Sequence, residues 1–242
     1  KAVLINSETQ PIAQGGHDWE NTLLNGIWTY SLEDVWKGIS TCFANLQKEV
    51  QSNYGVPLKK LKSMGVSAMM HGYLAFDEKG QLLVPFRTWR NTITAKAAEE
   101  LSDLFDYPVP ERWSISHLYH AILSGEDHVG DISFLTTLAG YVHWQLTGEK
   151  VLGIGDASGM FPIDTASGQY DTQMLDRFAD KIHDRKYPWD LISILPSILP
   201  AGEQAGVLSK QGAALIDPSG MLEAGIPLCP PEGDAGTGMV AT

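Results

Sequence analysis

A long stretch near the start of the chain places apolar residues three and four positions apart, which is the repeat of one helix face. Ser31 followed three positions later by Asp34 is typical of a helix N-terminus, because the serine hydroxyl can accept a first-turn N–H. Gly55 and Pro57 end the pattern. The segment is therefore predicted to be a long amphipathic helix, with an apolar face made of Val35, Ile39, Phe43, Leu46 and Val50.

Shorter apolar segments separated by turn residues predict strands. Lys1 to Ile5 and Pro11 to Gln14 flank a turn-prone segment, which predicts a hairpin with the proline at an edge. Leu61 to Met70 is short and apolar, as a buried strand would be. Alternation predicts a second hairpin, with strands Tyr73 to Phe76 and Gln81 to Phe86 around the turn Asp77 to Gly80.

Helical spacing recurs in three further segments, Ala95 to Phe105, Ser116 to Leu123 and Ile132 to Leu146, the last of which ends before Gly148. Beyond Lys150 the chain is rich in glycine and proline, and its short apolar segments lead into Glu232 to Gly238. Strand and helix patterns interleave along the chain. The predicted class is therefore α/β.

The composition restricts the classes of partner that the protein can be expected to bind. The 242 residues include 29 acidic and 17 basic side chains, a net charge of −12, which argues against nucleic acid or an anionic membrane as the main partner. Cys42 and Cys229 are the two cysteines, so no disulfide framework or thiolate zinc site is expected, and a cytoplasmic location fits best. No apolar run approaches the roughly 18 residues of a membrane span.

The sequence starts and stops inside segments that have the pattern of a strand or a helix. The chain starts without Met inside the apolar run Ala2 to Ile5, and it stops within Gly238 to Thr242, which reads as the first turn of a helix. We therefore expect a piece of a longer protein.

An aspartate surrounded by small residues is the sharpest local motif, in the segment Gly233-Asp234-Ala-Gly236-Thr-Gly238. At a strand-to-helix turn its carboxylate can approach a ligand closely and accept the proton of a substrate hydroxyl. The segment has no Gly-Lys-Ser/Thr and is not a Walker loop. The alternative is an aspartate N-cap with closely packed glycines.

His71 follows an apolar segment and precedes Gly72, which would place an imidazole at the carboxyl end of a strand, where open α/β sheets bind ligands. A satisfied core histidine is the alternative. His117 and His120 have the spacing of a helical metal pair, but no third ligand is evident, so no metal site is predicted.

Two aromatic clusters, Asp18-Trp19-Glu20-Asn21 and Trp89-Arg90-Asn91, combine flat rings with planar polar groups. Such sets suit a sugar, whose C–H face stacks on a ring while its hydroxyls need hydrogen-bonding partners. Core or rim tryptophans with solvated neighbours are the alternative. The segment Asp156-Ala-Ser-Gly159 lacks the pattern of a hydrolase nucleophile elbow.

Taken in order, six short motifs resemble the amino-terminal domain of the FGGY carbohydrate kinases, and most nearly the xylulokinases. The motifs are Met69-Met70-His71-Gly72, Trp89-Arg90-Asn91, Tyr141 to Gly148, Asp156-Ala-Ser-Gly159, Leu199-Pro-Ala-Gly202 and Gly233-Asp234-Ala. The resemblance implies an RNase H-like domain of the actin and hexokinase superfamily, with a mixed central sheet flanked by helices. In that family a sugar binds across a cleft from a second, nucleotide-binding domain.

The same resemblance implies roles for single residues. Asp234 matches the general base, which takes a proton from a sugar hydroxyl as phosphate is transferred from Mg²⁺-bound ATP. Because each follows an apolar segment and lies beside a glycine, we also expect His71 and Asp234 to share one cleft at the carboxyl ends of neighbouring strands. The implied sugar-binding residues are Met70, His71, Trp89, Asn91, Glu20 and Asn21, and Gly233 and Gly236 are implied to contact the nucleotide.

The chain departs from the family pattern at two places: Met69 stands where xylulokinases read glutamine, and Trp89 to Ile93 replaces W-N-D-x-R. The family's first strand and its nucleotide domain would lie outside residues 1–242, which then form the sugar-binding domain. A ketopentose such as xylulose is the implied substrate, and a homodimer is left open. Two alternatives stand beside the kinase: a non-catalytic sugar-sensing protein, and a carboxylate hydrolase using Asp156 and Asp234.

Overall fold

The computed structural model describes residues 1–241. Its strands are β1 (Ala2–Ile5), β2 (Pro11–Gly15), β3 (Thr22–Leu24), β4 (Ile27–Thr29), β5 (Ser67–Ala68), β6 (Leu74–Phe76), β7 (Phe134–Thr136), β8 (Val151–Gly153), β9 (Ile163–Asp164), β10 (Gln169–Tyr170), β11 (Ser197–Leu199) and β12 (Glu232–Gly233). Its α-helices are α1 (Leu32–Tyr54), α2 (Ala95–Phe105), α3 (Ser114–Ser124), α4 (Leu138–Thr147), α5 (Ile154–Ala157), α6 (Thr172–Ile182), α7 (Leu191–Ile194), α8 (Lys210–Ile216) and α9 (Asp234–Ala241). Two 3₁₀ turns lie at Asp127–Asp131 and His183–Arg185.

The longest helix, α1, confirms the prediction from periodicity. Ser31 caps it by accepting the backbone N–H of Asp34 at 3.2 Å, and Gly55 ends it with a left-handed φ of 70°. Its buried face includes Val35, Phe43 and Leu46. Within residues 1–241, no helix combines the length and the apolarity needed to cross a lipid bilayer.

The strands pair two at a time. β1 and β2 form the predicted antiparallel hairpin, and two parallel pairs, β11 with β8 and β12 with β5, lie side by side. The N–H of Gly153 donates to the carbonyl of Pro231 at 2.8 Å, so β8 is joined to the start of β12. This brings the two parallel pairs next to each other, with β8 beside β12.

The prediction of one helix from Ile132 to Leu146 is wrong at its start. Phe134–Thr136 is the strand β7, which pairs antiparallel with β6, and α4 begins only after Thr137. The Thr137 hydroxyl accepts the N–H of Gly140 at 3.2 Å and caps α4. The error has a physical reason: β7 is buried along its whole length, and a short, fully buried strand has the same apolar pattern as a buried helix.

Other strand predictions are adjusted by pairing. Leu61 to Met70 is strand only at β5, with a bridge from Met64 to Leu228. The second hairpin keeps its turn, because the N–H of Asp77 donates to the carbonyl of Gln81. Its second strand is reduced to single bridges, from Tyr73 to Arg87 and from Phe76 to Leu82. A short hairpin, β3–β4, lies between β2 and α1.

Alternate residues of one short segment point into two separate cores. Tyr73 and Ala75 belong to a core shared with α2, α3 and α6, whereas Leu74 and Phe76 belong to a core shared with α1, α4 and α8. Successive strand residues face opposite sides of a sheet, so this segment lies between two helical layers. The α/β class with helices on both faces is therefore confirmed.

Candidate functional site

His71 and Asp234 meet at the end of one parallel strand pair. Asp234 is the first residue after β12, and His71 lies three residues after the neighbouring strand β5. The backbone N–H of Met70 donates to Oδ1 of Asp234 at 3.0 Å, across 164 positions of sequence. The two predicted site residues are thus neighbours at the carboxyl ends of adjacent parallel strands, the usual place for a ligand in an open α/β sheet.

Two motif glycines are explained by the side chains that pack on them. A Cβ added at Gly233 would lie 1.8 Å from Cγ of Met70, and a Cβ at Gly159 would lie 2.5 Å from Nδ1 of His71. Any larger residue would displace the site residue in contact with it. The motifs around residues 70, 159 and 233, which are far apart in sequence, therefore form one packed unit.

The imidazole of His71 is oriented by its backbone and by one hydrogen bond. Its φ of 68° is in the left-handed region, which non-glycine residues seldom adopt and which clusters at functional sites. Its Nδ1 lies 3.3 Å from the carbonyl of Gly159, so Nδ1 carries the proton and Nε2 has the free lone pair. Burial, and more weakly the Arg112 guanidinium, lower the pKa of His71, against the Gly159 bond and Asp234. The ring is therefore neutral at neutral pH and can accept a hydrogen bond from a hydroxyl.

Asp234 begins α9 and is exposed. Its carboxylate accepts a hydrogen bond from a different segment, the one carrying Met70, so it is more than a local helix cap. That bond engages Oδ1 of the two oxygens. A carboxylate held in this way at a surface can accept a proton from a bound hydroxyl.

Trp89 lies two residues after Arg87, and Arg87 exchanges backbone hydrogen bonds of 2.8 and 3.2 Å with Tyr73, which is two residues after His71. Trp89 is 45% exposed, and the Arg90 guanidinium lies 5.0 Å from its ring centroid. An exposed ring is available for stacking on a sugar face.

Asn91 has a different environment from the one that the motif suggested. It is buried, and its amide nitrogen donates to the carbonyls of Trp28 and Thr88, both at 2.9 Å. Its Oδ1 accepts the N–H of Trp28 at 2.9 Å. The side chain of Asn91 therefore joins β4 to Thr88. A contact of Asn91 with sugar remains a prediction.

Glu20 and Asn21 lie in an exposed loop connected to the site through aromatic rings. Asn21 accepts a hydrogen bond from the Tyr30 hydroxyl. The Tyr30 ring is 6.4 Å from the ring of Phe86, and a Cβ on Gly72 would lie 2.9 Å from Phe86. The loop is thus connected to the His71 turn through Tyr30 and Phe86, and a place for Glu20 and Asn21 in the site remains a prediction.

One buried residue next to the site was considered in the sequence analysis only for the hydrolase alternative. Asp156 is inaccessible to solvent, and its Oδ2 accepts the hydroxyl proton of Thr137 at 2.5 Å. Burial raises the pKa of Asp156 to about 7, and Glu232 and Asp234 act in the same direction against Thr137. Glu232 in turn accepts the N–H of Asp156 at 2.8 Å. The sequence signal was the Asp-Ala-Ser-Gly segment, which periodicity could not place.

Comparison with known proteins extends this picture. No family model matches the chain, and no curated protein matches it by sequence. Among solved structures, a xylulose kinase from Brucella ovis superposes with a TM-score of 0.77 at 19% identity, over 96% of this chain and 46% of that one. A gluconate kinase from Lactobacillus acidophilus gives 0.73 at 14% identity, over 96% and 45%. A glycerol kinase from Plasmodium falciparum gives 0.72 at 14%, over 96% and 46%.

The chain has the fold of the FGGY carbohydrate kinases. It spans less than half the length of each of these three kinases. The fold predicted from the six motifs is therefore confirmed.

Kinases of this fold use ATP with Mg²⁺, and the two residues predicted to contact the nucleotide, Gly233 and Gly236, differ in their surroundings. The space above Gly233 is filled by Met70, so this glycine is explained without a phosphate. A Cβ at Gly236 would meet nothing within 4 Å, which leaves that position open. Among residues 1–241, no three His, Cys, Asp or Glu side chains are grouped to hold a metal ion.

Proposed function

We propose that the protein containing this chain phosphorylates a sugar hydroxyl with ATP, and that residues 1–242 form its sugar-binding domain. The observation that supports this most is the Met70 to Asp234 hydrogen bond, because it brings the candidate base next to the candidate sugar-binding histidine. The FGGY kinase fold supports the same reaction class.

In this proposal Asp234 is the general base. It accepts the proton of the reacting hydroxyl, which makes that oxygen a better nucleophile. The Met70 N–H holds one carboxylate oxygen, which fixes the direction in which the other can accept a proton. When bound, Mg²⁺-ATP supplies the phosphoryl group and neutralises its charge.

The remaining residues bind the sugar. Nε2 of His71 accepts a hydrogen bond from a second hydroxyl, because Nδ1 is already used on Gly159. Trp89 offers its exposed face for stacking, and the loop carrying Glu20 and Asn21 closes the rim. A ketopentose such as xylulose is our proposed substrate, with aldonates and polyols as the classes to compare, since the structural neighbours include gluconate and glycerol kinases.

The test uses the full-length protein, Mg²⁺-ATP and a panel of ketopentoses, ketohexoses, polyols and aldonates, with sugar-dependent ADP formation as the readout. Asp234→Asn keeps the side-chain shape and can still accept the Met70 N–H, but it is a far weaker proton acceptor. We expect kcat to fall by about 10²–10⁴ while sugar affinity is largely kept. Asp176→Asn, on the exposed surface of α6, is the matched control.

The same panel separates the alternatives. Sugar binding by calorimetry without ADP formation would favour the sugar-sensing protein over the kinase. Full turnover by Asp234→Asn would remove Asp234 as the base. The free sugars of the panel have no bond to hydrolyse, so the carboxylate hydrolase is tested with an added glycoside, whose cleavage without ATP would favour it.

A further inference from the structure

The segment 154–159, here called the α5 turn, contacts both the Asp234 segment and His71. The N–H groups of Gly155 and Asp156 donate to the carboxylate of Glu232, two residues before Asp234, at 3.4 and 2.8 Å. At the other end of the turn, the carbonyl of Gly159 accepts the His71 proton. Movement of this turn would therefore shift both the base and the sugar-binding histidine.

Asp156 anchors that turn to the rest of the fold. Its Oδ2 accepts the hydroxyl proton of Thr137, and the same hydroxyl caps α4 by accepting the N–H of Gly140. The second oxygen, Oδ1, is fully buried and has no hydrogen-bond partner within the described part of the chain. A buried carboxyl with a single hydrogen bond is far less costly as a neutral acid than as an anion.

The titratable groups around Asp156 add to this cost. Glu232 of β12 and Asp234 of α9 are acids, and both disfavour a negative charge on Asp156. Tyr170 of β10 is buried, and Asp156 contributes with burial to raising the pKa of that phenol. An ionised Asp156 would thus face two carboxylates and a neutral phenol whose hydroxyl donates to the carbonyl of Pro196.

We propose that Asp156 is a positioning residue: as a neutral acid it fixes the α5 turn between α4 and the Asp234 segment, and its ionisation loosens that arrangement. This inference rests on the proposed function, since a positioning residue needs a site to position. It predicts that the site deteriorates above neutral pH for a reason separate from the base itself. Asn is the right replacement, because it keeps the Thr137 hydrogen bond and cannot ionise.

The first experiment compares kcat/KM of the full-length protein and its Asp156→Asn variant between pH 6 and pH 9. We expect the ratio of variant to wild type to rise at least threefold across this range. Asp156→Ala, which loses the anchor, should be reduced more than tenfold at every pH. Asp176→Asn should parallel the wild type. Parallel profiles for Asp156→Asn and the wild type would overturn the proposal.

The second experiment does not depend on turnover. ¹⁵N NMR of the His71 ring, assigned with His71→Gln, reports the Nδ1–H form that the Gly159 bond selects. Between pH 7 and 9 the ring stays neutral, because burial lowers its pKa from 6.5. We expect its signals to shift over this range in the wild type and to stay constant in Asp156→Asn. Equal behaviour of both proteins would contradict the inference, whereas absence of ADP formation with the shift present would contradict only the kinase.

Discussion

Two buried polar regions flank the His71 turn, and they are built in opposite ways. On one side Arg87 forms a two-point ion pair with Glu126, and His128 links Glu126 at 3.5 Å to the Tyr73 hydroxyl at 2.8 Å. On the other side Asp156 has one hydrogen bond, and its charged neighbours are acids. The first region balances its charges internally, and the second does not.

The difference indicates which region can respond to its surroundings. In the first, burial raises the pKa of Tyr73, so its phenol donates to Nε2 of His128, whose Nδ1–H then faces Glu126. Every partner has a complementary group, which is the arrangement of a structural support. An unbalanced buried acid next to a candidate base is instead where a fold accepts a cost for function.

The largest expected effect is loss of stability when the balanced region loses one partner. Arg87→Met leaves the Glu126 carboxylate without its cation, and the two side chains are 9% and 26% exposed. Removing one member of a buried pair costs about 3–5 kcal/mol of unfolding free energy, and the partial exposure of Glu126 puts this pair at the lower end of that range. Urea denaturation followed by tryptophan fluorescence measures it.

Two comparisons sharpen this prediction. Lys60→Met breaks an exposed pair with Glu223, whose side chains are 75% and 48% exposed, and should cost under about 1 kcal/mol. The double variant Arg87→Met, Glu126→Leu should recover much of the loss, because no charge is left unpaired. If Arg87→Met costs no more than Lys60→Met, the contrast between the two regions is wrong.

A smaller effect should come from the one unbalanced member beside the Arg87 region. His117 stacks on Tyr73 at 6.3 Å, and neither ring nitrogen has a partner within residues 1–241. Burial, with Arg87, lowers the pKa of His117 from 6.5 to about 3. Between these two pH values the unfolded chain binds a proton at His117 and the folded chain does not. The contribution of the neutral His117 to the free energy of unfolding is therefore complete above pH 6.5 and is lost as pH falls.

The measurement is the difference in unfolding free energy between the wild type and His117→Leu at several pH values. From pH 6 down to pH 4.5 the wild type should lose roughly 1 kcal/mol more per pH unit than the variant. The contribution of Asp156 has the opposite pH dependence: because its pKa is raised, the free energy of unfolding falls as pH rises from about 4 to 7. The exposed His183→Leu is the control, and a pH-independent difference for His117→Leu would contradict the prediction.

Much of the fold was predictable because local signals agree with it. α2 has the predicted bounds, and α1 has the predicted caps. The errors in predicted secondary structure lie where the local sequence pattern does not distinguish a strand from a helix or a loop. Phe134–Thr136 is a strand because β6 pairs with it, and β3 is exposed along its whole length, so it has no buried face to create an alternating pattern.

The candidate site was predictable only through its motifs. His71 and Asp234 stood out because each lies beside a glycine after an apolar segment. The residues around His71 and Asp234 did not stand out in the sequence. The hydrogen bond between Thr137 and Asp156 spans 19 positions, and the one between Arg87 and Glu126 spans 39. Such pairs follow no period of a helix or strand, and Asn91 likewise shows its hydrogen bonds only in three dimensions.

The smallest expected effect concerns the contact between the α5 turn and His71. Gly159→Ala would place a methyl group 2.5 Å from Nδ1 and 2.8 Å from Cε1 of the ring, so the imidazole must move away from the Gly159 carbonyl. That hydrogen bond is worth about 1 kcal/mol, and its loss should raise KM for the sugar about five- to tenfold. kcat should change less, because Asp234 keeps its bond to Met70. Gly130→Ala, where a Cβ meets nothing within 4 Å, is the control. A fall in kcat at constant KM would mean that the turn acts on the base and not on the histidine, and the two connections of the α5 turn would then have unequal weight.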